Sequence, residues 1–355
     1  MKKILSFSIL SLCISLGFAQ QADSTSLSND TITLIGVGDI MMGTLYPEPE
    51  LPPDDGIHLY EEVDSVLQDA DVTFGNLEGV LMDKNGPSKT CKDPSVCYVF
   101  RSPQRYAKLL VDAGFDVVSV ANNHAGDFGD AGRLSTMRTL DSVGLQYAGQ
   151  LQKQVAIFYK DGVKYGFTAF SPNSNCISVN DTASAISIVK QLDSLVDVVI
   201  VSFHGGAEGA AYQNVPKKHE LFHGEDRGNV YEFAHLLVDA GADVIFGQGP
   251  HVIRSIEVYN NRFISYSAGN FCTFGGMSVN GVNGLAPIFK VFANKKGEFI
   301  KGQIIPCYQL SHTYVHLDPD KRATTILKYL TKQDFPNSGI TITDDGEITY
   351  KPATE

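Results

Sequence analysis

No tryptophan occurs in the 355 residues, and basic residues are scarce: 28 Lys+Arg stand against 40 Asp+Glu, a formal net charge of −12. Such a chain has no general field to draw a polyanion, which argues against a phosphate-backbone binder and takes nucleic acid off the list of partners. A locally positive centre stays possible, and a bound metal is the direct way to make one. No apolar stretch is long enough to span a bilayer. The stretch at 4–18 follows Lys2 and Lys3 and ends in the small-x-small triplet Gly17-Phe18-Ala19, the pattern of a cleaved secretory signal. The expectation is a signal peptide at 1–19, an exported chain in the periplasm or outside the cell, and no stable membrane span after cleavage. Cys13 follows Leu12 rather than a small residue, which argues against lipoprotein processing. Export removes two of the 28 basic residues, leaving 26 against 40 and a net charge near −14.

Cysteine is sparse as well, and no CxxC or Cys/His spacing of a structural zinc site is present among the six. In an exported chain Cys91 and Cys97 either clip one loop by a disulfide or stand as two thiols, and spacing does not choose between them. Repeats and low-complexity tracts are missing too. What the chain does have is 43% hydrophobic and 19% charged residues, ample material for a globular core.

Residues 20–30 read as a polar linker, 31–310 as the main domain and 311–355 as a C-terminal helix and tail. Short apolar runs at 31–37, 72–74, 116–120, 198–203 and 243–246 are the expected strands. Between them, 59–70, 103–113, 131–143, 182–195 and 230–240 are apolar at three- and four-residue steps, which predicts helices. Gly114 and Gly241 fit helix C-caps. Strand–helix alternation implies a largely parallel, buried sheet. Three stretches break the alternation and read as β-hairpins: 155–170 turning at Asp161-Gly162, 253–267 turning at Asn260-Asn261, and 288–305 turning near Lys295-Lys296-Gly297. Antiparallel strands of this kind suit a second sheet.

The carboxyl ends of the core strands carry the functional signal. In chain order they bear Asp39; Asn76 and Glu78; Asn122, Asn123 and His124; His204 and Glu208; Gln248 and His251, mostly beside glycine. In open α/β sheets this edge is where ligands bind. Singly, each residue is as well explained as a cap or turn. Together they bring three of the nine histidines and several carboxylates and carboxamides to one edge, a mixed N/O set that suits Zn, Fe or Mn. Gly36-Val37-Gly38 lacks the later glycine of a dinucleotide loop, and Asp39 would repel a pyrophosphate. Enough ligands for two ions points to phosphoester hydrolysis, in which paired metals roughly 3.5–4 Å apart activate water and clamp phosphoryl oxygens. Glu78 could bridge both ions, and His124 could protonate the leaving oxygen.

The segments GVGDIMMG, FGNLEG, VSVANNH, VSFHGGAEG and the run from Gly247 to Phe271 resemble, in order, the bacterial capsule-synthesis CapA family associated with poly-γ-glutamate. That family is similar to the calcineurin-like metallophosphoesterases. The resemblance implies an α/β fold, a four-layer α/β/β/α sandwich with added β-hairpins, and two divalent transition metals. It implies metal ligation by Asp39, Glu78, Asn123, His204 and His251, with Asn76, Gln248 and Asn270 as further ligands or supports. His124 takes the catalytic histidine place and Glu208 the acidic place of the HxGxE-like segment. Gln248 stands where family members usually have histidine, so the second ion is expected to bind more weakly. The implied partners are an anionic envelope polymer or phosphoester substrate and other capsule-assembly proteins. A metal-dependent hydrolase is the first expectation, and a non-hydrolytic accessory protein of polymer assembly is the rival.

The remaining polar residues have plainer readings. Arg227 either meets an anionic substrate group or pairs with acids at the surface. His219, Glu220 and His223 read as a solvated loop, and His235 as partly buried helix packing. His58, His312 and His316 have no supporting pattern.

Overall fold

The computed structural model describes residues 30–84, 86–91 and 97–352, so the expected signal peptide and most of the linker lie outside the described residues. Two β-sheets stack face to face. The first has nine strands, in the order Ile340–Ile342, Glu347–Tyr350, Phe299–Ile305, Ile288–Asn294, Thr31–Met41, Val72–Leu77, Val117–Ser119 and Gln146–Ala148, with Asn270–Thr273 pairing parallel to the end of Thr31–Met41. The second has six, in the order Ile256–Tyr259, Arg262–Ser265, Val244–Gln248, Val198–His204, Val163–Phe170 and Val155–Lys160. The second sheet has a parallel centre and antiparallel edges, whereas the first is parallel from Thr31–Met41 to its Gln146–Ala148 edge and antiparallel on the other side. The expected hairpins 155–170 and 253–267 supply the edges of the second sheet, 288–305 supplies inner antiparallel strands of the first, and Asp161, Asn260 and Asn261 take the positive φ that such turns need.

Alternation along the strands makes the layers. Leu34, Val117, Ile200 and Phe246 face the space between the sheets, where they pack with Phe74, Phe167, Phe263 and Phe289. Their neighbours Ile35 and Val118 turn outward to Leu110 and Leu140 of the helices Ala107–Ala113 and Gly129–Val143. On the far side Val199, Val201 and Ile245 meet Val189, Phe233 and Leu237 of Thr182–Asp193 and Val230–Asp239. Successive side chains of a strand point to opposite faces, so strands apolar at every position are buried on both sides. The result is the expected four-layer α/β/β/α sandwich.

Four aspartates lock the opposite ends of these strands. Asp71, Asp116, Asp197 and Asp243 each precede a strand-opening valine, and each clasps one residue of the next strand twice. Their carboxylates accept the backbone N–H of Thr33, Thr73, Lys164 and Val199 at 2.7, 2.9, 2.8 and 2.7 Å. Their own N–H groups donate back to the carbonyls of the same four residues.

Two details differ from the sequence expectations, and a third settles an alternative left open. Across 59–70 only Asp64–Leu67 is α-helical; Leu59, Glu61 and Val63 donate to residues three back, so the segment is a chain of tight turns. Its periodic Leu59, Val63 and Leu67 are nonetheless fully buried. The polar tail after the helix Arg322–Asp334 forms a hairpin that extends the first sheet. Cys91 and Cys97 are joined by a disulfide, with Cα atoms 5.6 Å apart, which closes the alternative left by spacing.

Candidate metal centre

Register brings the strand-end residues together. Asp39 lies opposite Asn76 on one neighbouring strand and opposite Asn270 on the other. On the second sheet Gln248 lies opposite His204. Gly38, Gly247 and Gly249 let these ends approach: a Cβ at Gly38 would sit 2.0 Å from the Gly269 carbonyl oxygen, and one at Gly249 would sit 2.8 Å from the Gly205 nitrogen. His251 itself holds a left-handed φ of 54°, a conformation uncommon outside glycine and frequent at functional sites.

Glu78, His204 and His251 form the centre. One ligand atom from each lies within 4.8 Å of the others, and Glu78 and His204 are buried to within 1%. His251 Nδ1 sits 2.9 Å from Asp39 Oδ2 and 3.1 Å from Asn270 Oδ1, which leaves Nε2 facing Glu78 Oε1 at 3.6 Å. Asn76 donates Nδ2 to Asp39 Oδ1 at 2.7 Å, and Asn122 donates to Asn76 Oδ1 at 3.1 Å. Gln248 donates Nε2 to the Val37 carbonyl at 2.8 Å, so its amide presents Oε1 the other way.

Both oxygens of Glu78, Oδ1 of Asn123, Nε2 of His204 and Oε1 of Gln248 are buried with no hydrogen-bond partner among the described residues. Each is a lone-pair atom that ligates metals, and leaving any of them unpaired costs about 1–3 kcal/mol. Burial, then the Asp39 charge, push the Glu78 carboxyl well above its usual range. Burial, then Arg227, push His204 well below the ordinary imidazole value. Burial also lowers His251, but Glu78 and Asp39 outweigh it and carry the ring to about 10. A divalent cation supplies what all of these groups lack, so the donor set fits a metal.

His124 stands at the edge of this group, with Nε2 3.9 Å from Glu78 Oε1. Its Nδ1 is 2.9 Å from Asp127 Oδ2, and Asp127 is itself held by the Phe100 N–H at 2.6 Å and by Lys89 at 2.6 Å. Burial lowers the His124 pKa and Asp127 opposes that. Sequence reading missed Asp127 and Lys89. The spacing His124-x-x-Asp127 was a visible signal, whereas nothing in the sequence marks Lys89.

Other expected residues lie at the margin of the centre. Glu208 bonds Arg227 Nη1 at 2.9 Å, and Arg227 is buried, at 3% exposure, rather than lying at the surface. Glu220 corrects its solvated-loop reading: it is buried, bonded to both terminal nitrogens of Arg254 at 2.8 Å, because an arginine 34 residues away satisfies it. His219 and His223 are not part of the centre; His219 pairs with the exposed Asp226. His235 packs on Tyr259 and bonds Glu257, as its helix position implied.

Against known proteins, the chain is 28% identical to the PGA biosynthesis protein CapA of Bacillus subtilis (strain 168), over 94% of this chain and 86% of that protein. It is 32% identical to the capsule biosynthesis protein CapA of Bacillus anthracis, over 68% of this chain and 60% of that protein. Among solved structures it overlaps a hypothetical protein from Thermus thermophilus with a TM-score of 0.48 at 16% identity, covering 81% of this chain and all of that one. The described residues hold no helix long and apolar enough to cross a membrane. The model of the bacterial capsule synthesis protein family PGA_cap matches residues 33–274, the span that carries the centre, and the chain belongs to that family.

Proposed function

We propose that the chain is an exported, metal-dependent phosphoesterase-like hydrolase of capsule synthesis, acting on a phosphoester or anionic envelope polymer at the carboxyl edge of its two sheets. The observation that carries this reading is the buried Glu78–His204–His251 group, whose ligand atoms lack partners, beside a histidine aligned by a carboxylate. Asp39, Glu78, Asn123, His204 and His251 would hold divalent ions, with Gln248 Oε1 as a weaker donor and Asn76 and Asn270 fixing Asp39 and His251. Bound Mn, Fe or Zn ions would supply Lewis-acid polarisation of the phosphoryl group and an activated water. The chain's own residues do the rest. Asp127 takes the Nδ1 proton of His124 in a hydrogen bond, which leaves Nε2 as the atom that gives or receives a proton at the reacting centre. Glu208 and Arg227 bring paired charge to the margin.

A second reading, a non-hydrolytic accessory protein of polymer assembly that keeps the metal for binding, is favoured by one observation. Gln248 offers a carboxamide oxygen where the family resemblance implies an imidazole, and a carboxamide is a poorer ligand for these ions. Metal analysis of protein purified without chelator, followed by turnover of bis-p-nitrophenyl phosphate, separates the two. The hydrolase binds nearly two equivalents and turns over, and His124→Ala slows it at least ~100-fold, the scale of losing a general acid. Metal without turnover across a panel of phosphoesters selects the accessory reading.

A further inference from the structure

Arg227 uses its guanidinium incompletely. Nη1 lies 2.9 Å from Glu208 Oε1 and 3.9 Å from Glu225 Oε2, whereas Nε and Nη2 are buried and have no partner among the described residues. Those two nitrogens form the side edge of the fork, the edge that grips two oxygens of one anion. At two other arginines that edge is filled by one carboxylate. Arg105 donates Nε and Nη2 to the two oxygens of Asp55 at 2.6 and 2.5 Å, and Arg322 donates the same pair to Asp318 at 3.0 and 3.2 Å.

The wall behind Arg227 is rigid. Its N–H donates to the Glu220 carbonyl at 2.8 Å, and its carbonyl accepts the Gly206 N–H at 2.9 Å, which pins it to the loop after His204. Gly205 has no room for a side chain there, since a Cβ would lie 2.9 Å from the Arg227 carbonyl oxygen. The Glu220 carboxylate is in turn fixed by Arg254 and by the Ala207 N–H at 3.1 Å. The Arg227 side chain is buried on a backbone fixed to the loop after His204, and its charge acts on both Glu78 and His204. Glu208 offsets its charge through Nη1 alone, and the side edge of the fork is left for a further anion.

We propose that the Nε–Nη2 edge of Arg227 is the anion-recognition element of the pocket, gripping two oxygens of a carboxylate or phosphoryl group on the substrate, with Glu208 holding the guanidinium until that group arrives. The inference rests on reading the pocket as a metal-dependent site. It makes the substrate a multiply charged anion, one group of which is read by a side chain.

The test is titration calorimetry on the metal-replete full chain with two separate probes, inorganic phosphate and glutarate. The wild type binds at least one of them, and which one binds more tightly identifies the group recognised. Arg227→Lys keeps the charge but loses the fork, and it weakens that binding at least ~10-fold with metal content unchanged. Glu208→Gln removes the competing carboxylate and tightens binding severalfold, so the proposal stays testable even if the arginine variant fails to fold. Binding of neither probe, equal binding by Arg227→Lys, or no tightening in Glu208→Gln overturns it. A chelator-treated sample separates this from the metal reading. If the metal-free protein binds the probe and still depends on Arg227, the arginine's role stands and the dependence on metal falls.

Discussion

The two ends of the same parallel strands carry similar residues and treat them in opposite ways. At the amino ends Asp71, Asp116, Asp197 and Asp243 each accept a backbone N–H, and two of them also pair with a cation, Asp116 with Lys160 and Asp243 with Arg262. At the carboxyl ends Glu78 is more deeply buried than any of them, yet neither of its oxygens has a hydrogen-bond partner among the described residues. A buried polar group without a partner is costly, so it persists where something outside the chain completes it. Residue type alone does not separate structural from functional acids in this fold; completeness of partners does.

The comparison can be broken by substitution at each end. The largest expected effect is at Glu78. Glu78→Gln lowers metal affinity more than ~100-fold, beyond the range seen for supporting residues, as followed by metal content after dialysis. In chelator the same variant, which exchanges one buried polar group for another, unfolds within ~1 kcal/mol of the wild type. Asp116→Ala at the opposite end should do the reverse. It loses a charge-assisted bond to the Thr73 N–H and the Lys160 pair, costs ~1–3 kcal/mol in urea unfolding and leaves metal content unchanged. If both variants lose metal, or both lose stability alike, the distinction between the two ends is wrong.

The remaining effect is a pH slope. Burial raises the Asp243 carboxyl to about 7, even though the Val199 N–H and Arg262 pull the other way. A folded-state value above the unfolded one means that the folded chain binds more protons between about 4 and 7. This group's contribution is complete below about 4 and is lost as pH rises through about 7. Stability should fall across that window by at most about 1.4 kcal/mol per pH unit, and Asp243→Asn should flatten the slope. Parallel slopes for wild type and variant would show that the clasp keeps the carboxylate charged throughout.

The layers and most of the centre were legible in the sequence for a physical reason. Strands buried on both faces are apolar at every position, and each ends within two or three residues of its ligand, so Asp39, Glu78, His204 and His251 sit in contiguous motifs beside the glycines that let them converge. What stayed hidden depends on pairs far apart in the chain. Glu220 looked solvated because its polar neighbours hide the contact with Arg254, and Lys89 reaches Asp127 only through a loop whose path no periodicity encodes. The aspartate clasps were half visible: Asp116 and Asp243 were counted into their strands, but the partner of each carboxylate lies on a different strand. The turns across 59–70 escaped because tight turns and an α-helix place apolar residues on one side with nearly the same spacing.

The amide of Gln248 reaches from the second sheet to the Val37 carbonyl on the first, and the ligand set is divided in the same way, with Asp39 and Glu78 on one sheet and His204 and His251 on the other. Neither sheet alone presents a complete set. On the proposed ligand assignment, ion binding would be a late event in assembly, possible only after residues more than two hundred positions apart have docked across the central core. Metal uptake during refolding would then serve as a clock for the closing of the sandwich, and in the finished protein a bound ion would act as a rivet between its halves.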